Sequence, residues 1–99
     1  MMKQDEALRL LAEMDEFVAQ SAGAGKNREA EGFFRERCYS LKVAVPQNVD
    51  CANVVNWAGI YYSATKWERY GDAKVRGFLE AALGRVRKRT ENYYKWIAD

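Results

Sequence analysis

Histidine is absent from the chain, and proline occurs once. Without histidine the usual general base near neutral pH and the commonest metal ligand are missing. Cysteine is scarce: Cys38 and Cys51 stand alone, at no metal-binding spacing. They leave a single disulfide open, but two thiols in a chain of this size are most simply reduced and cytoplasmic. No apolar run approaches the roughly 20 residues that a membrane-spanning helix needs. The best stretch, "CANVVNWAGIYYSAT", is short and holds Asn53 and Asn56. The opening "MMKQDEALRLLAEMDEF" is acidic and amphipathic, so no signal peptide is expected. Asn-x-Ser/Thr acceptors are missing too. A strong charge of either sign is lacking, since the formal net charge is +2.

What is there suits one small folded domain. The 99 residues are 48% hydrophobic, 30% charged and 13% aromatic. That much apolar surface can offset the entropy of ordering a chain, and a domain of this length buries roughly 60–65% of its unfolded surface. The small charge is unevenly placed. Residues 1–50 carry 7 Lys/Arg against 9 Asp/Glu, and residues 51–99 carry 9 against 5. The C-terminal half therefore suits an acidic partner without demanding one.

"AGAGKN" (22–27), "PQNVD" (46–50) and Gly71 divide the chain into four helical segments, predicting an all-α, compact four-helix domain. The first helix is expected over 5–21. Leu10, Leu11, Met14, Phe17 and Val18 fall on one arc, Asp5 is placed to cap, and the glycines of "GAG" end it. The second is expected over 28–45. Asn27 caps it, Ala30, Phe34, Cys38, Leu41 and Val45 form its stripe, and Pro46 stops it. Arg37 lies at the edge of that stripe and must snorkel outward or find a carboxylate. The third is expected over 51–70, with Asp50 as cap and Val49 and Val54 as a hydrophobic staple. It is apolar over most of its circumference, so it is central or covered by another copy of the chain. Gly59 and Ser63, small and four apart, suit close approach of a neighbouring backbone. Gly71 closes the third helix and Asp72 caps the fourth, expected over 72–98. Its core arc of about 60° holds Val75, Leu79, Ala82, Val86, Tyr93 and Ile97. At about 39 Å this helix is long for the domain, so its end is expected to project. Gly77 and Gly84 weaken its middle by up to about 1 kcal/mol each relative to Ala, which makes Gly84 the place for a bend or break.

Three constellations invite a chemical interpretation. "AGAGKN" superficially suggests a phosphate loop, but Gln20 stands where that pattern needs a glycine, and Asn27 where it needs Ser or Thr. A plain interhelical turn is expected. The carboxylates scatter as on solvated helix faces and the inward positions are apolar, so no catalytic, cofactor or metal site is expected. Cys38 lies on an apolar stripe, as an inert core thiol does. The third constellation is "LGRVRKRTENYYKW" (83–96), with five cations, one acid and three aromatics. Val86 lies within the core arc while Arg87 and Lys88 point away from it. Arg85 and Arg89, four apart, are placed to grip one anionic group, and Arg76 extends the charge. Tyr94 falls opposite the arc, where it could stack on a base. The bland alternative is a solvated helix face whose late cations favour the helix dipole.

These features imply a non-enzymatic helical interaction module of adaptor, small-subunit or inhibitor type. Trp67, Tyr70, Tyr94 and Trp96 are its expected anchors, because Tyr, Trp and Arg dominate interface energetics. Arg76, Arg85, Arg87, Lys88, Arg89 and Lys95 supply charge for an acidic protein partner, and the third helix is a candidate for self-association. The alternative is binding of RNA or single-stranded DNA through 85–89, which the low net charge disfavours. Size and class also suit an accessory protein of a phage or another mobile element.

Overall fold

The computed structural model describes residues 2–21, 27–63 and 71–98. Four helices follow one another: α1 (Gln4–Gln20), α2 (Arg28–Ala44), α3 (Cys51–Tyr61) and α4 (Asp72–Ala98). No strand occurs among the described residues. Each helix runs antiparallel to the next. Glu13 meets Arg37 and Phe17 meets Phe33 between α1 and α2. The Asn27 amide donates to the Tyr62 carbonyl at the far end of α3, and Asp50 and Trp57 meet Arg85 and Phe78 across α3 and α4. Asp15 and Met2 meet Arg87 and Tyr94, which brings α1 beside α4 and closes the bundle.

The core is one apolar cluster to which all four helices contribute. Leu11, Met14, Phe34, Leu41, Val54, Tyr61, Leu79 and Val86 are fully buried within it. At the α1–α2 end Tyr62 joins Phe17 and Phe34, with ring centroids 5.4 and 6.0 Å away. Its hydroxyl lies 2.5 Å from the Ser21 hydroxyl. The molecule measures 46 × 20 × 19 Å, and its long dimension accommodates α4, whose 27 residues rise about 40 Å.

Local chemistry accounts for most helix ends. The Asn27 side chain accepts from the Glu29 amide at 3.1 Å, so it caps α2 as expected. Gly71 adopts φ 82°, the left-handed region that a glycine enters without Cβ cost. Its carbonyl accepts from Val75, so the cap position of α4 is Gly71, and Asp72 is already helical. Asp5 likewise sits inside α1, where the cap position is Lys3 and no side chain caps. Asp5 instead places a negative charge in the first turn, where the helix dipole favours it.

Four further expectations change. α3 ends at Tyr61 rather than at 70, and 64–70 lie outside the described residues. The Tyr62 amide still bonds back to Ala58, but the Ser63 amide turns to Ile60 and the Tyr62 carbonyl accepts from Asn27. A carbonyl committed to the start of α2 is poorly placed to continue its own helix. The staple of Val49 on Val54 does not form, because Val49 is exposed and Val54 fully buried. Among the described residues no backbone crowds Gly59: a Cβ there would meet none of their atoms within 4 Å. α4 for its part continues as helix through Gly77 and Gly84 without a break.

Candidate partner-binding surface

The basic run of α4 is largely neutralised by the chain itself. Arg85 and Arg89 do converge on a single anion, and that anion is Asp50, at 2.9 and 3.6 Å. Asn53 also donates to Asp50 at 3.0 Å. The Arg85 hydrogen bond is the foremost reason that the Asp50 carboxyl titrates below its usual range, with Asn53 and the two guanidinium charges adding to it. Asp50 stands at the cap position of α3 yet makes no side-chain cap bond, because its oxygens serve α4 instead. Arg87 pairs with Asp15 of α1, and Arg76 with Glu80 on its own helix at 3.8 Å. Lys88 and Lys95 are exposed and have no ion-pair partner among the described residues.

Arg37, the charge at the edge of the α2 stripe, resolves in the same way. It donates to Glu13 at 2.8 Å, and its guanidinium lies 3.6 Å from the centre of the Phe33 ring.

The aromatics sort differently from the helical wheel. Tyr94, expected to face outward, is 6% exposed and donates to the Met2 carbonyl at 2.8 Å. Burial raises its phenol pKa first, with Tyr93 and Glu6 adding to the shift. Thr90, absent from the expected arc, is fully buried, whereas Tyr93 is half-buried and Ile97 exposed. The cause is a change of neighbour along α4. Trp57 of α3 and Asp50 just before it meet α4 at Phe78 and Arg85, but α3 begins only at Cys51, and beyond Thr90 the helix packs against the start of α1. The buried face therefore rotates toward Thr90 and Tyr94. Of the four expected anchors, Trp96 is open to solvent at 79%, and Trp67 and Tyr70 lie outside the described residues.

Trp96 lies beside an apolar surface that the wheel did not mark. Tyr39 is 71% exposed and Val43 65%, one helical turn apart on the side of α2 opposite its core stripe. Together with Met2, Pro46 and Tyr93 they line an open groove of about 640 Å³. A second depression of about 310 Å³ adjoins it, bordered by Gln47, Arg89, Asn92, Tyr93 and Trp96. Tyr93 is common to both and packs edge-to-face on Tyr94 at 5.2 Å. A sequence signal for this surface existed in Tyr39 and Val43, an apolar i,i+4 pair on an otherwise polar face. α3 exposes much less. Val54, Ala58 and Tyr61 are buried, Val55, Trp57 and Ile60 half-buried, and its open positions are Ala52, Asn53 and Asn56.

Cys38 and Cys51 are buried free thiols, and Cys38 lies 3.9 Å from the Met14 sulfur. The neighbouring Cys51 thiol and burial raise the Cys38 pKa, and Cys38 in turn lowers that of Cys51. Among the described residues no three His, Cys, Asp or Glu side chains gather as metal ligands, and no helix is long and apolar enough to cross a membrane. No family model, characterised protein or solved structure matches the chain.

Proposed function

We propose that this chain is a non-enzymatic interaction module that binds another protein through the surface between α2 and the end of α4. The observation that carries it is the pair of open aromatics, Tyr39 and Trp96, beside two adjoining depressions. Large exposed aromatic surface beside concave apolar ground is what partner anchors use. The nucleic-acid alternative loses its strongest support, since Arg85, Arg87 and Arg89 already meet carboxylates and Tyr94 is buried. Self-association through α3 is also weakened, because the exposed part of that helix is small and polar.

The test is a pull-down from cell extract with the wild type and with Tyr39→Ala/Trp96→Ala, both checked for native helicity. The expected result is a protein partner retained by the wild type and lost by the variant. A partner set indifferent to these changes, or a nucleic acid whose affinity falls with salt at a log–log slope of roughly −0.7 per contact, would overturn it.

A further inference from the structure

The charge around the α2–α4 groove goes further and indicates what kind of segment it takes. This step rests on the proposed protein-binding role. The larger depression is bordered by uncharged residues, and the smaller carries one charge, Arg89. Neither lining includes a carboxylate. Beyond them the nearby charges on α4 are mostly basic. Lys88 and Lys95 are seven residues apart, about two helical turns, and so lie on one side of α4, adjoining the side that bears Asn92. Both are exposed without an ion-pair partner among the described residues. On the α2 side, exposed Lys42 reaches the Pro46 carbonyl at the groove wall. Against these stand exposed Glu36, one turn before Ser40 on α2, and exposed Glu91, beside Asn92 on α4, whereas Asp50 is already held by Arg85 and Arg89, so the unpaired lysines outnumber the unpaired acids.

We infer that the groove receives a short acidic segment of another protein, with two apolar side chains seated on either side of Tyr93 and flanking Asp or Glu meeting Lys42, Lys88 and Lys95. Complementary potential of this kind sets partner choice and encounter rate. A second copy docking through the same face is disfavoured. A two-fold interface sets a patch against itself, which would bring the lysines and Arg89 of both copies together. Nucleic acid is disfavoured because the larger depression is lined by uncharged residues and Arg85, Arg87 and Arg89 already meet carboxylates.

The test is a selection of random twelve-residue peptides, displayed on phage, against the immobilised full chain. Selected peptides are expected to share two apolar positions and an excess of Asp and Glu. Their affinity should fall at least about tenfold in Trp96→Ala, the loss expected of an anchor. It should fall several-fold in Lys88→Glu/Lys95→Glu and weaken from 50 to 200 mM salt. These side chains are exposed, and circular dichroism confirms that each variant is folded. Selected peptides that need Trp96 but carry no acidic excess would overturn the acidic occupant and leave the binding role standing. No enrichment over background would overturn both. A concentration-dependent dimer abolished by Trp96→Ala would assign the groove to a second copy, and Trp96-dependent binding to anionic vesicles would assign it to a lipid surface. Either would overturn the inference.

Discussion

Thr90 shows how a single polar residue is tolerated in the core. Its hydroxyl donates to the Val86 carbonyl at 2.7 Å, which uses its only proton. The hydroxyl oxygen can then only accept from Asn48, whose side-chain amide lies 3.0 Å away. Both residues are fully buried, so the pair ties the α2–α3 connection to α4 where no water competes. Thr90→Val keeps the shape but leaves the Asn48 amide without its acceptor, and should cost about 1–3 kcal/mol in urea unfolding. Asp50 makes a second prediction at this scale. Its folded-state pKa is depressed, so its contribution is present above the unfolded value and lost as pH falls through the folded one. Melting temperature should drop more steeply on acidification below about pH 4 in the wild type than in Asp50→Asn, which is less stable at neutral pH. Equal slopes would remove the Arg85–Asp50–Arg89 contact as a source of stability.

At the scale of elements, α4 carries two glycines that its own geometry does not need. Among the described residues a Cβ built on Gly77 or Gly84 meets nothing within 4 Å, and neither glycine has positive φ. Gly77→Ala and Gly84→Ala should each stabilise by up to about 1 kcal/mol, raising the melting temperature by up to roughly 4–8 °C each. Gly71→Ala should destabilise, because φ 82° strains any residue with a Cβ. A gain at Gly71 or a loss at Gly84 in thermal melts would contradict the backbone described for α4. α2 was legible almost to the residue, because Asn27 and Pro46 are local signals that act through the adjacent backbone. α3 was not, because its end at Tyr61 depends on a carbonyl that accepts from Asn27, thirty-five positions earlier in the chain.

For the whole molecule, the proposed binding surface stands apart from the core that holds the fold. Tyr39, Val43 and Trp96 are exposed beyond the core, so truncating Tyr39 or Trp96 to Ala should change unfolding free energy by no more than about 0.5 kcal/mol while abolishing partner binding. Leu79→Ala, at a fully buried position, should cost about 2–5 kcal/mol. Chemical denaturation of the three variants beside one binding assay checks this division. The ion pairs add a second whole-molecule property. Arg85, Arg87 and Arg89 bind Asp50 and Asp15 across helices, so the basic run acts partly as internal strapping, and the charge left for a partner falls to Lys42, Lys88 and Lys95.

Residue order alone determined the class of fold, the four helices, the start of α2 and most of the core stripes, because periodic burial and caps act over one or two turns. It also placed Arg85 and Arg89 to share an anion and left Arg37 needing a carboxylate. Tertiary structure decided which carboxylates these are, and it turned Tyr94 and Thr90 inward where α4 passes the start of α3 and meets α1. It also left Tyr39 and Val43 uncovered beside Trp96. A helical wheel specifies which residues share a face; only the packed neighbours specify whether that face is buried, and against what.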